Sequence, residues 1–189
     1  MGKYVTEEFE PAFYFELGEG WQAIIPESAD ALFLKRGAET EFLYDMEALH
    51  FTTAPYVYNP SNPTARLPAP ENTAEWVSWF QRHPNLDTSE PVPVTVGGES
   101  GLAIEVTDIN TPEAYRERYL QFCGEQPCVP LLSTSYGNWI GPFSGTKYRF
   151  VIVDVGGETV VGVIGAPADN FSEFLPKAQR LLDTVEWQE

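Results

Sequence analysis

Apolar and polar residues along this chain alternate mostly with a period of two, and in two places with a period near 3.6. The period-two segments read as strands. Tyr4–Phe9 and Ala12–Leu17 alternate in part, and the run Phe13-Tyr14-Phe15 suits a pleated, half-buried surface. Gly18-Glu19-Gly20 is turn chemistry, after which Trp21–Ile25 resumes a strand. Ala31–Lys35 and Glu41–Tyr44 are further short strands, with Arg36-Gly37-Ala38 in the turn between them. Val92–Val96 and Gly101–Thr107 flank Gly97-Gly98, and Tyr148–Val155 and Thr159–Ile164 flank Gly156-Gly157. Both are hairpin signatures, because paired glycines supply positive φ at little cost.

The two helical segments differ in kind. Thr73–Arg82 places Trp76, Val77 and Phe80 on one face, with Asn72 or Thr73 as the cap and Pro84 as the stop. Within Phe171–Val185, Phe171, Phe174, Leu175, Ala178, Leu181, Leu182 and Val185 form a helical stripe. Pro176 interrupts it, so either the helix opens at Pro176 or one helix runs through it with a kink. Trp187 closes a final short strand. Residues 55–72 carry Pro55, Pro60, Pro63, Pro68 and Pro70, and they read as a proline-rich surface loop. Hairpins with two separate helices, and no regular βαβ alternation, predict one α+β domain over residues 1–189 with an antiparallel β-sheet packed against two main helices.

Composition narrows the function classes. The 189 residues include 28 Asp and Glu against 11 Lys and Arg, a formal net charge of −17. Such a field repels phosphate backbones and anionic membrane surfaces, so nucleic acid is not an expected partner. An aromatic content of 14% rules out a disordered chain. No apolar run reaches the roughly 20 residues that span a bilayer.

Candidate chemistry is sparse. His50 and His83 are isolated; His50 reads as a strand-edge residue, and His83 as a cation at a helix end. No G-x-S-x-G, P-loop or metal-ligand spacing is present, and no catalytic residue, metal site or cofactor is expected. Ser133 to Ser135 read as loop serines. A carboxylate-based hydrolase stays open as an alternative, since two acids can meet from anywhere in the chain. The two cysteines, Cys123 and Cys128, are four residues apart in CGEQPC. A local disulfide worth ~2 kcal/mol is one reading, two buried thiols the other. If paired, they imply an oxidising, extracytoplasmic compartment. Ser133–Gly145 interleaves Tyr136, Trp139 and Phe143 with Gly, Ser and Asn, as ligand-binding surfaces do; Tyr56 and Tyr58 are candidates to join it. The alternative is an ordered loop whose rings cover the core.

Several short motifs carry a resemblance. Tyr4-Val5-Thr6, Phe9-Glu10-Pro11, Phe13, Phe15 and Gly20-Trp21 are similar to the start of uncharacterised bacterial lipoprotein-like proteins. So are Trp79-Phe80-x-x-His83-Pro84-x-Leu86, Pro93–Gly98, Cys128–Pro130 and the ending Phe171-x-x-Phe174-Leu175-Pro176 with Leu182-Asp183-Thr184-Val185. The ending also resembles the PsbP-like fold of the photosystem accessory subunit and of lipoproteins of the LpqN type. The resemblance implies export and membrane tethering through an N-terminal lipid alone; a monomeric accessory domain at the bacterial cell surface is expected. The lipid-bearing cysteine is not in this sequence, and the family offers no catalytic motif. The partner expected is a small molecule or a protein; a structural role against a cationic protein surface is the other alternative.

Overall fold

The computed structural model describes residues 2–23, 27–37, 47–110 and 126–188. The expected strand Glu41–Tyr44 and Cys123 lie outside the described residues. Among them the fold is α+β: antiparallel sheets and two helices.

The central sheet runs in the order β3 (Trp21–Ala23), β4 (Ala31–Arg36), β5 (Glu47–Thr52), β14 (Glu158–Pro167), β13 (Thr146–Val155), β10 (Glu99–Ile109), β8 (Leu86–Thr88). The strand β9 (Val92–Val96) also pairs along the outer edge of β10. Gly156 and Gly157, at φ 61° and 96°, form the turn of the long β13–β14 hairpin. Positive φ at both central positions matches the strand twist and favours glycine, above all at Gly157.

Both faces of this sheet are covered. Val151 and Val153 point to one side, and Phe150 and Ile152 to the other, as a period of two dictates. The first face packs Leu34, Phe51 and Val160 against helix α2 (Phe171–Leu182) and against Phe13 and Phe15 of β2 (Phe13–Leu17). β2 lies between β1 (Gly2–Val5) and β15 (Glu186–Trp187) in a three-stranded sheet. The second face packs Phe33, Ile104 and Val163 against Trp76, Val77 and Phe80 of helix α1 (Thr73–Arg82).

The helices follow their caps. The Asn72 side chain accepts from the Glu75 N–H at 3.0 Å, and α1 stops before Pro84. Helix α2 runs through Pro176 as one element. The proline removes the hydrogen bond to the Ser172 carbonyl, and Ser172 is exposed, so water can take that place. Asn170 precedes α2, but its side chain makes no cap; its carbonyl receives the Phe174 N–H at 2.9 Å.

The proline-rich segment 55–72 is not a loop. It holds a hairpin, β6 (Tyr56–Asn59) and β7 (Asn62–Pro68), in a third sheet ordered β12 (Trp139–Ile140), β11 (Leu132–Ser133), β6, β7. Among the described residues β7 is the edge of this sheet, and Pro68 is tolerated there because its nitrogen faces the outer side, where a missing N–H costs no ladder bond. Ser133 likewise belongs to a strand, and the expected long loop Ser133–Gly145 is a tight hairpin followed by a bridge from Phe143 to Cys128.

Candidate functional site

The four-stranded sheet gathers most of the aromatic candidates. Val57, Leu132 and Ile140 are cross-strand partners, and all three are buried in the core against the second face of the central sheet. Alternation turns their neighbours to the other face. Tyr56 pairs with Ser133, and Ser133 with Trp139, so these three form one row across β6, β11 and β12. Tyr58 pairs with Arg66 in the next row. Cross-strand partners share a face with Cβ atoms about 5 Å apart, which gathers Tyr56, Tyr58, Arg66 and Trp139 into one surface over the fully buried Ser133.

Arg66 ties the rows together. Its guanidinium lies 5.1 Å from the centre of the Tyr56 ring, and its Nη1 donates to Ser133 Oγ at 3.3 Å. Tyr56 is 41% exposed, and Tyr58 and Trp139 are half-buried. Phe143 is buried, with its ring centre 5.4 Å from that of Trp139, so it backs the surface rather than facing a ligand. Tyr136 stands at the β11–β12 turn, 76% exposed; Gly137 N–H to Thr134 O (3.0 Å) and Thr134 N–H to Asn138 O (2.9 Å) hold that turn.

A buried carboxylate anchors the same hairpin. Asp30 Oδ2 accepts a short hydrogen bond from the Ser135 N–H, and Oδ1 accepts from Ser28 Oγ at 3.1 Å. The Asp30 carbonyl receives Thr52 Oγ1 at 2.8 Å and Thr53 N–H at 3.2 Å. One residue thus joins the start of β4, the end of β5 and the aromatic hairpin. Sequence reasoning did not find Arg66, Ser133 or Asp30 as site residues. The alternation Tyr56-Val57-Tyr58 opposite Arg66-Leu67 is the signal for Arg66, but the prolines around it mask it; Ser133, on β11, has no such signal. Nothing local marks Asp30.

The remaining chemistry is structural. His83 is not a helix-end cation. Burial lowers its pKa to about 4, and its Nδ1 accepts from the Asn85 N–H at 3.3 Å. His50 is not at a sheet edge: β5 lies between β4 and β14, and burial lowers this pKa to about 4 as well. Burial pushes the Tyr148 phenol up to about 12 despite a hydrogen bond with Thr146. Among the residues whose burial is described Asp30 is the one buried acid, and no pair of buried carboxylates stands among them. No group of three or more His, Cys, Asp or Glu among the described residues could hold a metal ion. No described helix is long and apolar enough to cross a membrane.

No family model matches the chain, and no curated protein matches it. Among solved structures the chain is similar to LpqN, described as involved in cell envelope biogenesis of Mycobacterium tuberculosis. The two share 12% identity at a TM-score of 0.45, over 100% of this chain and 91% of that one.

Proposed function

We propose that this chain is an extracytoplasmic accessory domain that holds a ligand on its four-stranded sheet, without catalysis of its own. The observation that carries the reading is the row Tyr56–Ser133–Trp139, crossed by Arg66. Flat rings offer stacking area, while the exposed guanidinium offers hydrogen bonds and is held in place by the buried Ser133 Oγ, which is how small-molecule sites combine affinity with orientation. A row of partly exposed rings over a buried apolar row is more aromatic surface than strand formation alone requires.

The compartment rests on different support. No cysteine among the described residues is free, which fits pairing of Cys128 with Cys123 and an oxidising environment. Tethering through an N-terminal lipid belongs to the same reading and stands on the sequence resemblance.

A thermal-shift panel of cell-wall saccharides, lipids and metal ions tests the function. A ligand at about 100 times its Kd stabilises by ~2.7 kcal/mol, roughly 5–10 °C for a chain of this size. Trp139→Ala and Tyr56→Ala are expected to abolish the shift of any hit while keeping their own unfolding temperatures within a few degrees. A hit whose shift survives both substitutions refutes the assigned face. Unfolding of Trp139→Ala would mark that ring as core.

A further inference from the structure

A second surface lies on the other side of the central sheet, between α2 and the β2–β3 turn. It is a cleft of about 390 Å³ that includes Trp21, Arg36, Lys177 and Arg180 in its wall. That volume falls within the ordinary range of small-molecule sites. Its charge runs against the rest of the molecule. Three of the 11 cations of the chain line it, against three of the 28 acids, Glu16, Glu19 and Asp183.

Two of the three cations, Lys177 and Arg180, are unpaired among the described residues. They make no ion pair there, as Lys35, Arg66, Arg82 and Lys147 make none, so both are open to an incoming anion. The two stand three residues apart on α2, where like charges face each other and repel. Arg180, in the last turn, is favoured by the helix dipole. Lys177 lies a turn further in, beyond the reach of that effect. Arg36 spends one Nη1 contact on Glu47 at 3.4 Å and keeps the rest of its five-donor fork. Of the acids, Asp183 is engaged by the Gln179 amide at 2.9 Å, and Glu16 and Glu19 are exposed. Trp21 supplies the apolar wall; its half-buried indole is backed by Phe174, with ring centres 5.8 Å apart.

We propose that this cleft binds a small organic anion, with a phosphate or carboxylate group held by Arg36, Lys177 and Arg180 and an apolar or ring body lying against Trp21. The site is separate from the aromatic sheet face and does not depend on it.

Isothermal titration of the whole chain at low salt with phenyl phosphate, benzoate, inorganic phosphate and phenol tests the assignment. Phenyl phosphate or benzoate binds and phenol does not; the tighter of the two anions identifies the head group. Lys177→Gln and Arg180→Gln each weaken binding about tenfold, the scale of one lost charge-assisted hydrogen bond. Trp21→Leu weakens phenyl phosphate but not inorganic phosphate, and Tyr56→Ala changes neither. Failure of both phenyl phosphate and benzoate to bind overturns the proposal. So does a Lys177→Gln, Arg180→Gln double variant that binds phenyl phosphate unchanged, whatever its melting temperature, since the cations then hold no part of the ligand. Equal affinity for inorganic and phenyl phosphate overturns the role given to Trp21.

Discussion

Replacing His50 with phenylalanine should make the protein less sensitive to acid. Both ring nitrogens of His50 are buried with no hydrogen-bond partner, and the ring packs 4.5 Å from Phe33. Lys35, buried on the same face of the neighbouring strand, supplies no counter-charge. Burial therefore holds the imidazole neutral, with its pKa lowered from 6.5 to about 4. The unfolded chain takes a proton as pH falls through 6.5, while the folded chain refuses it until pH 4. In that window the unfolded state binds more protons, so stability falls as the solution is acidified. Integrated from pH 8 to pH 5, the loss from this one residue is about 2 kcal/mol. His50→Phe keeps an aromatic ring beside Phe33 and deletes the titration. Urea unfolding followed by tryptophan fluorescence at pH 8 and pH 5 reads the effect. The stability gap between variant and parent should widen by about 2 kcal/mol at pH 5; His83 and the carboxylates titrate in both proteins and cancel. A gap that stays constant between the two pH values refutes the reasoning, because it means the folded protein accepts the proton freely.

Three further perturbations check other parts of the structure. Phe80→Ala empties the contact between α1 and Phe150, whose ring centres are 4.4 Å apart, and should cost about 3–5 kcal/mol, seen as a lower melting temperature. Asp30→Ala leaves the Ser135 N–H without its acceptor; a loss of about 1–3 kcal/mol and faster hydrogen exchange at Ser135 are expected. Gly97→Ala places a Cβ 2.6 Å from the Trp187 indole at φ 60°, so it should destabilise by about 2 kcal/mol or more and alter Trp187 emission.

Legibility tracked the range of the forces involved. Helix α1 was readable from Asn72 to Pro84 because capping, periodicity and the proline stop all act within one turn or two. The Gly156-Gly157 hairpin was readable for the same reason. Sheet membership was not. Whether Pro63 and Pro68 break a strand depends on whether that strand has a neighbour on both sides, and only the fold decides that β7 has one. His50 looked like an edge residue because one of its two flanking strands, β14, lies about 110 residues away in sequence. The aromatic candidates were found as types, but their row depends on the pairing of β6 with β11, about 75 residues apart in the chain. The cleft around Trp21 draws on three separate stretches and has no linear signature.

Pro68 of β7 has a consequence beyond the fold it accommodates. An outermost strand normally presents a line of unsatisfied amides on which a second chain can extend the sheet. Here Ala69 turns its N–H inward to the Pro55 carbonyl, so the neighbouring Pro68 turns outward a nitrogen with no hydrogen to offer. The rim beside the aromatic face is thus a poor template for strand exchange, so many copies could crowd side by side without fusing their sheets into fibrils.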